Sequence, residues 1–208
     1  MSVFICGTGT GVGKTITAAA IMKRYASRMK ISYFKPIQTG TELGDDDTRT
    51  VRELSGLPAE FFQPPLYAFK APLSPHRAAE LEGQRISFAG LLDRVGSSPN
   101  LLIEGAGGLL VPINRQCTWL DLLKELRLPV ILAAHSGLGT INHSLLTIRA
   151  LEQEGLRIIA IIFCGELMPD NMKTVNDFSG LPVLAFDGGS ALDLSRFDEE
   201  EKLAGAFG

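Results

Sequence analysis

Cysteine is scarce in this chain: three residues among 208, at positions 6, 117 and 164. An odd number of widely separated thiols gives neither a disulfide framework nor a metal-ligand spacing. Cys6 and Cys164 sit in apolar, strand-like runs and read as reduced core thiols, which suits a cytoplasmic protein. Histidine is equally rare. His76, His135 and His143 have no Cys, Asp or Glu at ligand spacing, so each reads as a hydrogen-bonding or surface residue. No apolar run approaches the roughly 20 residues of a membrane span. The N-terminus lacks a basic stretch and does not read as a signal peptide. Neither sign of charge dominates: 20 Lys and Arg against 23 Asp and Glu give a net charge of −3. Nothing in that balance favours nucleic acid or an anionic membrane as a partner. The chain also lacks internal repeats and low-complexity tracts.

What is present is ordinary globular composition, 45% hydrophobic and 21% charged, in a length that suits one α/β domain over residues 1–208. Strand-like runs recur at Val3–Cys6, Ile31–Phe34, Leu101–Ile103, Val130–Ala134, Ile158–Phe163 and Val183–Phe186. Helix-like runs lie between most of them, at Ile16–Ser27, Thr48–Leu54, Phe88–Arg94, Leu120–Glu125, Ile141–Glu154 and Asn171–Phe178. Continuous apolar strands alternating with helices predict a mainly parallel sheet covered on both faces. The proline-rich stretch Pro64–Pro75 reads as an ordered loop, and the tail Asp198–Gly208 as a short helix prone to fray. Trp119 and Leu120–Leu123 read as core helix.

The most informative segment is Gly7-Thr8-Gly9-Thr10-Gly11-Val12-Gly13-Lys14-Thr15. It follows the first strand and opens the first helix. Such a loop turns successive backbone N–H groups toward phosphate oxygens, and its glycines permit the required backbone angles. The helix start adds positive dipole, Lys14 a full charge, and the Thr15 hydroxyl a site for Mg²⁺. The segment predicts binding of a nucleoside triphosphate. It is a variant P-loop: counting back from Gly13, Thr8 stands where the first glycine is usual, and Gly9 and Gly11 supply extra freedom.

Ligands of open α/β sheets bind outside the carboxyl ends of the strands. That rule selects Lys35, Pro36 and Thr39 after the second strand, Glu104–Gly108 after Ile103, Ser136–Thr140 with Asn142 after Ala134, and Cys164-Gly165 after Phe163. The Lys35 ammonium is placed to reach a γ-phosphate or an anionic substrate. Of Asp45, Asp46 and Asp47, one could cap the following helix and one could serve as a Mg²⁺ ligand; spacing alone does not choose. Glu104, at the end of a buried apolar run, is costly unless paired or bound to metal.

Taken together, these segments resemble the dethiobiotin synthetase family. The matching pieces, in family order, are Gly7–Thr15, Lys35-Pro36-Ile37-Gln38-Thr39-Gly40, Asp47-Thr48, Leu73-Ser74-Pro75-His76, Glu104-Gly105-Ala106-Gly107-Gly108 and Leu138-Gly139-Thr140-Ile141-Asn142-His143. The resemblance implies a single-domain P-loop NTPase-like fold. It implies an ATP-dependent, Mg²⁺-requiring ligase of biotin synthesis that converts 7,8-diaminopelargonic acid and CO₂ into dethiobiotin, with ADP and phosphate released. It implies a homodimer with the diamine bound near the subunit interface. Carried over by residue, Gly11, Val12, Gly13, Lys14, Thr15, Ile16, Asp47, Glu104, Gly105, Ala106 and Gly107 would hold the nucleotide. Thr15, Asp47 and Glu104 would hold Mg²⁺, Lys35 would be catalytic, and Thr39 would contact substrate. The helix start at Thr140–Asn142 would receive the substrate carboxylate.

The chain departs from the family pattern at two places. Gly11 stands where well-known members carry an acidic residue, and Cys164-Gly165 stands near where they carry an Asn-Asp pair that reads adenine. The segment Asp187-Gly188-Gly189 matches weakly. A competing class is a nucleotide-driven switch or assembly ATPase. Those proteins carry a lysine five residues before the P-loop lysine, where this chain has Gly9. A cobalamin-type amidoligase would need a glutamine-hydrolysing domain with a reactive cysteine, for which the chain is too short.

Overall fold

Apolar side chains on both faces of short runs build the centre of the molecule. The computed structural model describes residues 2–186; the helix expected at Asp198–Gly208 and the segment Asp187–Gly189 lie outside the described residues. In chain order the elements are β1 (Val3–Gly7), α1 (Lys14–Met29), β2 (Ser32–Phe34), β3 (Ile37–Gln38), α2 (Asp47–Ser55), β4 (Phe62–Gln63), β5 (Tyr67–Ala68), α3 (Pro75–Leu81), α4 (Phe88–Gly96), β6 (Leu101–Gly108), α5 (Trp119–Leu126), β7 (Val130–Ala134), α6 (Thr140–Gln153), β8 (Ile158–Cys164), α7 (Pro169–Ser179) and β9 (Val183–Phe186).

Seven strands form one sheet in the order β4-β2-β6-β1-β7-β8-β9, and their pairings are parallel. Alternate residues of the central strands feed two cores. Phe4, Cys6, Leu132 and Ala134 pack with α4, α5 and α6, while Val3, Ile5, Ile131 and Ala133 pack with α1. A sheet buried on both faces needs no polar alternation, which explains the unbroken apolar runs. The expected α/β architecture is the one observed.

Three local differences have physical reasons. The run at Leu101–Ile103 continues as strand through Glu104 to Gly108. Glycines weaken strands in isolation, but β6 lies between β1 and β2, whose ladders hold its start in register. Glu104 therefore sits within a strand rather than just beyond its end. The stretch Pro64–Pro75 is not loop throughout: it contains β5, which pairs with β3, and its last residue begins α3. Proline at the first helical position costs no hydrogen bond, so the residue that suggested a loop marks a helix start. The two-residue strands β3, β4 and β5 carry too little pattern to be read from sequence.

Candidate nucleotide and metal site

β1 ends at Gly7, and the chain must turn sharply to start α1 within seven residues. Gly11 and Gly13 supply this turn with positive φ, 71° and 96°. Gly13 is the N-cap of α1 and leaves the first-turn N–H groups without a side-chain cap. Unsatisfied donors at a helix start, reinforced by the helix dipole, suit an anion. A Cβ on Gly13 would collide with Cys164, so β8 presses directly on the loop from below. The Lys14 ammonium donates to the Gly9 carbonyl at 2.8 Å and closes the loop on its own lysine.

Three charged side chains are buried among the described residues: Lys14, Lys35 and Glu104. All three belong to this one place. A buried charge is tolerated only when compensated, and the compensation here is mutual. Glu104 Oε1 accepts from the Thr15 hydroxyl at 3.0 Å and from Lys35 Nζ at 3.2 Å. The Thr15 hydroxyl also stands 2.9 Å from Asp47 Oδ1, and Lys35 pairs with Asp47 Oδ2. The second oxygen of Glu104 accepts from the Tyr33 hydroxyl at 2.9 Å.

These contacts set the charge states. Burial pushes the Lys14 ammonium below the usual lysine range, with Glu104 opposing the shift. Burial acts the same way on Lys35, but Glu104 and Asp47 outweigh it and hold that ammonium above its ordinary value. Burial would raise the Asp47 carboxyl, yet the Lys35 charge and hydrogen bonds from Lys35, Thr15 and Gln38 leave it below the usual range. Burial, then the Glu104 charge, raises Tyr33 well above an ordinary phenol.

Of the three aspartates before α2, Asp46 and Asp47 take the two readings left open by spacing, while Asp45 lines the mouth of the cleft. Asp46 is the N-cap and accepts from the Arg49 N–H at 2.8 Å. Asp47 turns inward. Its own N–H donates to Gln38 Oε1 at 3.2 Å, so Gln38 steers the start of α2 toward the site. Gln38 and Tyr33 were not singled out from sequence. Their signal was weak: a buried glutamine in a two-residue strand, and an aromatic that looks like any core residue.

The site opens into a cleft of about 600 Å³ at the carboxyl edge of the sheet. Gly11, Gly13, Lys14, Thr15, Ile16, Lys35, Thr39, Asp47, Glu104, Ala106 and Gly107 line it. Two sequence-derived candidates do not face it. Val12 is buried in the core with α1, and a side chain on Gly105 would strike the Phe4 ring. Thr140–Asn142 also lie outside this cleft, at the glycine-capped start of α6. A second cleft of about 440 Å³ adjoins the first, lined by Thr10, Leu109, Leu110, Val111, His143 and Leu146 among others. Of its lining residues Leu110 and Leu146 are exposed, and Leu138, just before α6, is fully so.

The donor set suits magnesium. Oxygens bound to Mg²⁺ at about 2.1 Å lie about 3 Å from their neighbours, the spacing of Thr15 from each carboxylate. A hydroxyl and two carboxylates are hard oxygen donors of the kind Mg²⁺ takes together with phosphate oxygens and water, and Thr15, Asp47 and Glu104 would hold it. No cluster of three or more His, Cys, Asp and Glu that could hold a metal ion occurs among the described residues.

A family model described as an AAA domain matches residues 1–186. The chain is 47% identical over 175 residues to the ATP-dependent dethiobiotin synthetase BioD of Nitrobacter hamburgensis, covering 84% of this chain and 80% of that protein. It is 40% identical to the protein of the same name from Paramagnetospirillum magneticum, over 88% of this chain and 85% of that one. The bifunctional biotin biosynthesis protein BioCD of Bordetella avium is 43% identical over 88% of this chain, which spans only 38% of that longer protein. Among solved structures, a nucleotide-binding protein in complex with ADP from Archaeoglobus fulgidus superposes with a TM-score of 0.50 at 10% identity, covering 97% of this chain and 86% of that one. The signal recognition particle receptor FtsY from Elizabethkingia anophelis gives 0.54 at 17% identity, over all of this chain and 65% of that one. Both are likenesses of fold.

Proposed function

The chain belongs to the dethiobiotin synthetase family, and on that premise we propose that it carboxylates 7,8-diaminopelargonic acid and closes the ureido ring of dethiobiotin, driven by ATP, in biotin synthesis. The observation that carries this reading is the convergence of Lys14, Thr15, Lys35, Asp47 and Glu104 at one end of the phosphate loop.

In this reaction a neutral amine adds to CO₂ and gives a carbamate. A carbamate oxygen takes the γ-phosphoryl group of ATP, and the second amine displaces phosphate as the ring closes. The protein has to hold two anions together and offset charge as it moves. The backbone N–H groups around Gly11–Ile16 cradle the phosphates. Lys14 exchanges the Gly9 carbonyl for a phosphate oxygen. Lys35, fixed by two carboxylates, offsets charge on the transferring phosphoryl group and is the catalytic residue. Thr39 lines the same cleft and contacts the diamine. Thr15, Asp47 and Glu104 would hold Mg²⁺, which when bound draws charge from the β- and γ-phosphate oxygens. The scheme needs no protein nucleophile.

The family's carboxylate-binding helix start corresponds to Thr140–Asn142, which the first cleft does not include. A second copy of the chain could bring that segment to it. The exposed Leu110 and Leu146 of the adjoining cleft support a homodimer, since apolar surface of this kind marks interaction sites. The unpaired cysteines support a cytoplasmic setting.

The test is a product assay with the diamine, bicarbonate and each nucleotide in turn, read by mass spectrometry. Dethiobiotin is expected, with slow nucleotide hydrolysis when the diamine is omitted. Rapid diamine-independent hydrolysis with no ureido product would overturn the proposal in favour of a nucleotide-driven switch.

A further inference from the structure

Tyr33 is a fully buried side chain whose polar atom points at the site rather than along the sheet. β2 pairs with β6 so that Tyr33 lies opposite Leu102. Glu104 is two residues further along β6, on the same face, at the diagonal distance that a long side chain spans. The Tyr33 hydroxyl meets Glu104 Oε2 at 2.9 Å. The other oxygen, Oε1, faces the cleft and takes Thr15 and Lys35. The two oxygens of one carboxylate are thus assigned different tasks by their partners.

We propose that Tyr33 is a positioning residue: by holding Glu104 Oε2 it turns Oε1 alone toward the cleft and makes Glu104 a fixed, single-oxygen ligand for Mg²⁺. The proposal rests on the reading of Glu104 as a metal-facing carboxylate. Groups that hydrogen-bond a metal ligand fix its orientation, and their loss costs metal affinity. Phenylalanine would keep the ring and its tilted contact with Phe62, 6.1 Å between centroids, while releasing the carboxylate to rotate. Tyrosine at this position is not required by the sheet, because any large apolar residue fills the same core space beside Val51 and Leu102.

The experiment is calorimetric titration of Mg²⁺ into the protein saturated with ADP, for wild type, Y33F, E104Q and the double variant. ADP affinity is measured separately in EDTA. Y33F is expected to weaken Mg²⁺ binding about tenfold and to leave metal-free ADP affinity unchanged. In the E104Q background the same change should add nothing, because Tyr33 acts through the carboxylate. Unaltered Mg²⁺ affinity in Y33F, or equal losses with and without metal, overturns the proposal. So does a further loss of metal affinity in the double variant. If E104Q itself leaves Mg²⁺ binding untouched, the underlying placement of the metal fails as well. Should Y33F prove less stable, the gain in melting temperature from Mg²⁺ added to ADP reads the same coupling: a gain smaller than the wild type's supports it, and an equal gain overturns it.

Discussion

Lys35 Nζ stands 3.2 Å from Glu104 Oε1, with the two side chains 7% and 1% exposed. A lysine and a glutamate kept this far from water are held by one another. On the proposed function, a magnesium-bound phosphate entering the cleft would leave each with a task in place of its partner.

For Lys35 the proposed task is to offset charge that develops in transfer. Lys35→Ala should therefore lower kcat by about 10²–10³, the loss seen when one preorganised donor is removed, and leave ATP affinity close to wild type. Steady-state kinetics with calorimetric ATP binding checks this. An intact kcat with a large loss of ground-state affinity would make Lys35 a binding residue only.

Neighbouring aspartates should separate cleanly. Asp46→Ala removes the cap of α2 and should cost about 1 kcal/mol of stability with little change in kcat. Asp47→Asn should keep the fold and raise the Mg²⁺ concentration needed for half-maximal rate, because a hard cation prefers a charged oxygen. Thermal unfolding and Mg²⁺ titration of the rate distinguish the two variants.

Gly13→Ala should be severe. Alanine is strained at φ 96°, by about 1–3 kcal/mol, and its methyl group would collide with Cys164. Both a lower melting temperature and lost ADP binding are expected. Near-normal ADP affinity would show that β8 and the loop can separate at little cost.

The thiols should differ in reactivity. Burial pushes Cys6 up to about 12 and also raises Cys164, so both stay as protonated, inaccessible thiols at pH 8. Cys117 is half-buried and is the thiol that a disulfide reagent should reach in the native protein. Burial and the nearby Asp121 raise it too, so labelling should be slow, since only the thiolate attacks. Labelling followed by peptide mapping should find Cys117 alone in the native state and all three cysteines in denaturant.

Base selection should be loose. No amide or carboxylate side chain stands at Cys164-Gly165, and the Cys164 thiol is turned to the Gly13 carbonyl and the Thr17 hydroxyl. A base is rejected by polar groups left unpaired, and phosphate contacts do not distinguish bases. GTP and CTP should support product formation within about tenfold of ATP, or 1.4 kcal/mol. A preference for ATP of about a hundredfold or more, about 2.7 kcal/mol, would locate a reader elsewhere.

Much of this was legible in the chain because its signals are local. Continuous apolar runs announced a doubly covered sheet, and the loop before Lys14 announced phosphate. The strand-end rule assigns Lys35 and Glu104 to the same edge of the sheet. What sequence could not supply was direction. Asp45, Asp46 and Asp47 are chemically identical, and the turn of the chain onto Gln38 is what brings Asp47 to Thr15 and Lys35. Tyr33 reads as core because its hydroxyl matters only through a register set by β6, some 70 residues away. The glycines of β6 looked like loop because their strand partners lie elsewhere in the chain. Proline at position 75 concealed a helix for the opposite reason: a local signal with two meanings.

Lys14, Lys35 and Glu104 are buried charges offset by one another and by Asp47, and this has a consequence for the chain's lifetime. Ligands that bind only the folded form stabilise it by mass action, by about 2.7 kcal/mol at a hundred times Kd. A site built from desolvated charge thus ties resistance to unfolding to nucleotide supply. In a cell where proteases remove unfolded chains, occupancy of this cleft would slow the chain's removal.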